Sequence, residues 1–256
     1  MQTSSRLKTY PLPPTFACIG EERSYRKQHL AAALRLFSRY GFDEGVAGHI
    51  TVRDPEYLES FWVNPLGVQF GTIKASDLIQ VHYTGEVEDQ TAIDETMFAI
   101  HSHIYAARPD VVAIVYTNSI YGKSWSSFGH LLEPMSQDAC AFYQHHSVIN
   151  EYKGIVLSSE DAKHIAETLA ENKALILKDH GFLTVGNTVD EAAWWFILME
   201  RMSQAQLLAE AAGKPSLINH DSATLARHQV GSHYTGWFSF QPLYNLIVRQ
   251  QPELLD

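Results

Sequence analysis

Residues 111–121, VVAIVYTNSIY, constrain this chain more than any other stretch. An apolar, β-branched run ends in two polar side chains, Tyr116 and Asn118, and a turn follows. Residues two apart in a strand point to the same side, so Tyr116 and Asn118 can face one site. A second apolar run, KALILK from Lys173, ends in Asp179-His180-Gly181. Two strands with polar tips can place Tyr116, Asn118 and His180 around one pocket, as a metal site or an acid/base site requires.

The elements around these strands alternate between helix and strand, which argues for α/β layering. Leu30, Leu34, Phe37 and Tyr40 recur at helical spacing over 24–40, and Gly41 stops the run. The loop FDEGVAGHITVRD follows, its Gly45 and Gly48 suited to close backbone approach to a ligand, with ITVRD as a strand. FWVN and LIQVHY read as further short strands. Residues 94–107 read as a helix with Met97, Ile100, His101 and Ile104 on one side, ended by Arg108-Pro109. Ser158 and its acidic neighbours start a helix expected to run to about residue 172. KALILK, DHG and FLTVGN read as a hairpin. Thr188 and Glu191 form an expected capping box that opens the longest helix, closed by Gly213 and Pro215.

Composition narrows the partners. At 256 residues and 45% apolar content the chain is ample for one packed core. A formal charge of −10 disfavours nucleic acid and anionic membranes, which repel a net anion. No run of apolar residues is long enough to span a bilayer. Cys18 and Cys140 cannot build a disulfide framework. A cytoplasmic protein is therefore expected.

Several blocks fall in a familiar order: GVAGH at 45–49, VNPLG at 63–67, IHSHIYAARPDVVAIV at 100–115 and KDHGFLTVG at 178–186. On these the chain resembles the class II aldolase/adducin family along most of its length. QDACAFY at 137–143 and EAAWWFILMER at 191–201 resemble one subgroup of it. The resemblance implies an α/β fold, a three-layer α/β/α domain around a central mixed β-sheet. It also implies a homotetramer with active sites at subunit contacts. The expected organisation is an extended arm over 1–22, the family domain over 23–215, and an aromatic tail over 216–256 docked on the domain or on a neighbouring subunit.

The departures fall where the chemistry should be. Zinc-dependent sugar-phosphate aldolases of the family hold metal with H-x-H on the strand and a third His in the later H-G turn. The matching positions here are Tyr116, Asn118 and His180. The position of the family's catalytic Glu is Met97, four residues before His101. Of the phosphate-binding loops, Gly48 and Gly67 match, whereas His49, Leu66, Glu95 and Thr96 do not keep the polar pattern. Gly48, His49, Gly67, Glu95 and Met97 are thus the candidate substrate-binding positions.

Amide and phenol groups are poor zinc donors beside His, Cys and carboxylate, so no cofactor is expected. A zinc or other divalent ion would need His180, with His145, His146 or Glu95 completing its shell. His101-Ser-His103 copies the H-x-H text, but on a helix these two point roughly 200° apart. Three readings remain open. The first is a metal-independent enzyme acting on a non-phosphorylated carbonyl metabolite through an enolate, by lyase, isomerase or cyclisation chemistry; an apolar pocket supplied by the tail would suit a large metabolite. In it Tyr116 and His180 move protons and Asn118 holds the oxyanion. The second is a catalytically silent, adducin-like oligomeric scaffold. The third is a metal-dependent aldolase or decarboxylase with unusual ligands.

Overall fold

The computed structural model describes residues 10–87, 92–151, 154 and 158–256. In chain order the elements are α1 (Ile19–Tyr40), β1 (His49–Arg53), β2 (Ser60–Val63), β3 (Ile79–His82), α2 (Glu95–Ala107), β4 (Ala113–Thr117), α3 (Ile120–Ser126), β5 (His146–Ile149), α4 (Ser159–Leu169), β6 (Ala174–Leu177), β7 (Gly181–Gly186), α5 (Val189–Ala212), α6 (His220–Val230) and α7 (His233–Gln250). The strands form one sheet in the order β3-β2-β1-β4-β7-β6-β5. Five neighbouring pairs are antiparallel and β5–β6 is parallel, so the sheet is mixed.

Strand alternation divides the core in two. Ile50, Val52, Ala113, Val115, Ile176 and Phe182 face one side, where Leu30, Leu34 and Phe37 of α1 meet Trp195 and Phe196 of α5 and Phe240 of α7. Ile114, Tyr116, Leu175, Leu183 and Val185 face the other, under Ile100 and Ile104 of α2 and Ile165 and Leu169 of α4. The architecture is therefore three layers, α/β/α, around a central mixed sheet.

The element boundaries show which local signals were decisive. Asp94 accepts from the Met97 amide and starts α2; Ser158 accepts from the Asp161 amide and starts α4. The first helix begins at Ile19, ahead of the expected residue 24, because its N-cap Cys18 makes no side-chain cap that could mark the start. Residues 1–9 of the expected arm lie outside the described residues; Pro11 accepts a hydrogen bond from the Tyr234 hydroxyl. The fourth helix ends at Leu169, not near 172, where Ala170 takes a φ of 45°. Thr188 caps α5 as expected, but Glu191 returns its bond to the Asn187 amide rather than to the cap residue. Its other oxygen accepts from the Trp195 indole, and His233 bonds the same oxygen.

The C-terminal residues form two helices. Phe240 and Ile247 of α7 are buried in the layer of α1 and α5. Gly236 makes the close crossing possible, since a Cβ there would lie 2.7 Å from Glu191 and 2.8 Å from Trp195. Among the described residues no helix is long and apolar enough to cross a membrane.

Candidate active site

β4 ends at the edge of the α2/α4 layer and presents Tyr116 there. The hairpin between β6 and β7 turns through Asp179, at a φ of 60°, and delivers His180 beside it. The two rings meet edge to face with centroids 5.7 Å apart. They share a cleft whose walls include Ile100, Ile149, Ile165 and Leu177. Lys178, Glu151, Asp161 and His164 supply its charged and polar groups. Burial pushes the His180 imidazole below its ordinary value, favouring the neutral ring.

Asn118 is half-buried and is not among the residues lining this cleft. The period-two rule stops one residue short of it, because β4 ends at Thr117. The Thr117 hydroxyl turns to the opposite face and donates to the Phe42 carbonyl. Ser119 then starts α3, its hydroxyl donating to buried Glu200.

The five candidate substrate-binding positions also separate. Gly48 takes a φ of 97°, and a Cβ there would collide with Thr117, 3.0 Å from that residue's Cβ. Its close approach is to β4. Gly67 lies in an exposed turn with nothing within 4 Å of a Cβ. Glu95 is exposed on the first turn of α2, and Met97 is buried in the core. Neither side chain lines the cleft. The apolar walls come from α2, β5, α4 and β6, and no residue of the C-terminal tail contributes to them.

His49 is different. It pairs across the sheet with Tyr116, and the two rings stack with centroids 5.0 Å apart. Its Nδ1 lies 3.0 Å from Nε2 of His101. Nδ1 of His101 lies 2.8 Å from the Thr51 hydroxyl, which is 2.8 Å from the Tyr105 hydroxyl. Tyr105 donates to the Val112 carbonyl at 3.3 Å. Burial lowers both imidazoles, so both rings are neutral. Sequence patterns set His101 on one side of a helix and His49 in a loop, and do not show that the two touch. The signal was present: His49 and Thr51 are two apart on a strand, His101 and Tyr105 four apart on a helix.

The donor chemistry at the former ligand positions does not fit zinc. The positions to which the resemblance assigns the ligands carry a phenol, an amide and one imidazole, and zinc prefers imidazole, thiolate and carboxylate. Among the described residues no three His, Cys, Asp or Glu side chains are grouped to hold a metal ion. His145 and His146 lie at the start of β5, whereas His180 follows the far end of parallel β6. Buried His146 is engaged by the Phe142 carbonyl and the Leu132 amide.

The model for the class II aldolase and adducin N-terminal domain matches residues 28–207. The chain belongs to that family. Decarboxylase NovR of Streptomyces niveus is 45% identical, the match covering 94% of this chain and 91% of that protein. The 4-hydroxy-3-prenylphenylpyruvate oxygenase/4-hydroxy-3-prenylbenzoate synthase of Streptomyces roseochromogenus subsp. oscitans is 44% identical, covering 94% and 88%. Among solved structures, L-fuculose 1-phosphate aldolase from Glaciozyma antarctica PI12 superposes with a TM-score of 0.88 at 41% identity, covering 95% and 96%.

Proposed function

We propose that this family member is an atypical, metal-independent enzyme that passes through an enolate on a non-phosphorylated carbonyl metabolite. The observation that carries this is the pairing of Tyr116 with His180 in a cleft that combines aliphatic walls with charged side chains at Lys178, Glu151 and Asp161. The names of two relatives, a decarboxylase and a prenylphenylpyruvate oxygenase, support a keto acid with an aromatic or apolar side chain as the substrate.

Such a molecule would lay its side chain against Ile100, Ile149, Ile165 and Leu177, and its carboxylate toward the Lys178 ammonium. Breaking a C–H or C–C bond next to the carbonyl leaves the electron pair on oxygen as an enolate. Tyr116 and the neutral His180 supply and recover the proton at that oxygen, each such contribution being worth roughly 100-fold or more. The protein would work as a homo-oligomer, a tetramer by family resemblance, in the cytoplasm.

Deuterium wash-in tests this. Phenylpyruvate in D₂O with the full chain should exchange its CH₂ protons above the buffer rate. Tyr116→Phe and His180→Ala should each lower that rate by roughly 100-fold. Wild-type rates in both variants would make the assignment wrong.

The 41% identity to a structure described as a sugar-phosphate aldolase favours a second reading, metal-dependent aldol cleavage. Cleavage of fuculose 1-phosphate that requires an added divalent ion would favour it over the first.

A further inference from the structure

We propose that His49 is the base that takes the carbon-bound proton, with His101 and Thr51 as positioning residues that fix which of its nitrogens is free. This rests on the enolate reading above. The resemblance makes His49 a candidate substrate-binding position, and the packing gives it a more specific role.

The assignment starts from strand and helix periodicity. β1 turns His49 and Thr51 toward α2, and α2 returns His101 and Tyr105 one turn apart. The four side chains interleave into one chain of hydrogen bonds ending at the Val112 carbonyl. A carbonyl only accepts, and that fixes the polarity of every link when all four bonds are made together. Tyr105 donates to Val112, so its oxygen accepts from Thr51. Thr51 therefore accepts from His101, whose proton must sit on Nδ1. The bare Nε2 of His101 then accepts from His49, so His49 carries its proton on Nδ1.

What remains on His49 is an unprotonated Nε2. Among the described residues it makes no hydrogen bond. Nδ1 is taken by His101, and the ring lies beside the polar end of β4, opposite Tyr116. There the His49 ring stacks on Tyr116, and Tyr116 meets His180. Three polar rings thus stand in series, and the first is a base with a single fixed tautomer.

The proton step balances within these groups. The C–H bond next to the carbonyl breaks, its proton goes to Nε2, and its electrons move to the carbonyl oxygen beside Tyr116. The resulting imidazolium keeps its Nδ1–H on His101, a bond that strengthens when the donor is charged. Asp94, whose charge already favours protonated His49, stabilises the same state.

The test uses the full chain and phenylpyruvate in D₂O. His49→Asn keeps a donor toward His101 but removes the base, and should lower exchange by roughly 100-fold or more. Thr51→Val cuts the chain and should lower the rate constant by about tenfold at unchanged KM, with Thr51→Ser restoring it. ¹⁵N-histidine spectra of the wild type should show His49 protonated on Nδ1 and bare at Nε2, and Thr51→Val should mix the two tautomers. Wild-type exchange in His49→Asn, when Tyr116→Phe has lost it, would overturn the base assignment and leave the enolate reading standing. A proton found on Nε2 of His49 would overturn it also, even if the Asn variant failed to fold. A wild type that exchanges nothing would sink the enolate reading and this proposal with it.

Discussion

The two faces of the sheet treat buried histidine in opposite ways. On the α1/α5/α7 side His29 is clamped between the rings of Tyr25 and Tyr244, each 3.8 Å away, and its Nδ1 bonds Asp190 at 2.8 Å. Gln241 donates to the same carboxylate oxygen. Three helices, α1, α5 and α7, are tied by this one cluster. On the α2/α4 side His49 and His101 bond each other and no carboxylate, and their chain runs from a carbonyl to the ring that stacks on Tyr116. A histidine held by a carboxylate joins helices; a histidine held by a second histidine has its tautomer set instead. The first face stabilises the protein and the second leaves a reactive nitrogen available.

That contrast can be broken by substitution. The largest expected effect is Asp190→Ala, which leaves the His29 and Gln241 groups buried without their acceptor. Two buried donors left unsatisfied cost about 1–3 kcal/mol each, read by denaturant unfolding, while exchange activity per folded molecule should hold. Loss of activity with little loss of stability would reverse the assignment of the two faces.

Next in size is Gly48→Ala, where left-handed backbone and collision with Thr117 act together. A cost of about 2–3 kcal/mol is expected. Gly45→Ala sharpens this, since its φ is 63° but nothing lies within 4 Å of a Cβ; about 1 kcal/mol is expected there.

Acid should act through Asp54. Burial alone would raise this carboxyl, but the Arg23 guanidinium, the Tyr57 and Glu56 amides and the Trp62 indole outweigh it and pull it down to about 2. A depressed folded value means the contribution is complete above the ordinary value near 4 and is lost as pH falls through 2. About 2 kcal/mol should disappear across that window in the wild type and not in Asp54→Asn, by thermal unfolding against pH.

The smallest stability effect belongs to the cleft. Tyr116→Phe should cost about 1 kcal/mol or less yet remove most of the exchange activity. A large drop in stability with activity retained would make Tyr116 a structural residue.

Much of the fold was legible because its signals are local. Asp94, Ser158 and Thr188 announce three helices by side-chain caps, and KALILK-DHG-FLTVGN announces a hairpin. The site was legible only in part. Tyr116 and His180 lie at strand ends, which the pattern locates, and the structure brings them together. Asn118 required β4 to continue one residue further than Thr117, and the demand of α3 for a start at Ser119 ended it. His49, Thr51 and Arg53 alternate with Ile50 and Val52 as an exposed strand face would, yet α2 covers them. Polar alternation carries no sign of whether water or a polar helix lies opposite. Only the pairing of β1 with α2, distant in sequence, turns His49 from a loop residue into the end of a proton-bearing chain.

The central claim is that proton transfer among Tyr116, His180 and His49 has replaced activation by a bound ion. Phenylpyruvate deuterium exchange should be measured on protein purified without chelator, before and after EDTA dialysis, with metal content determined on the same samples. The account predicts equal exchange rates in both. A stoichiometric divalent ion whose removal abolishes exchange, and whose return restores it, would contradict it.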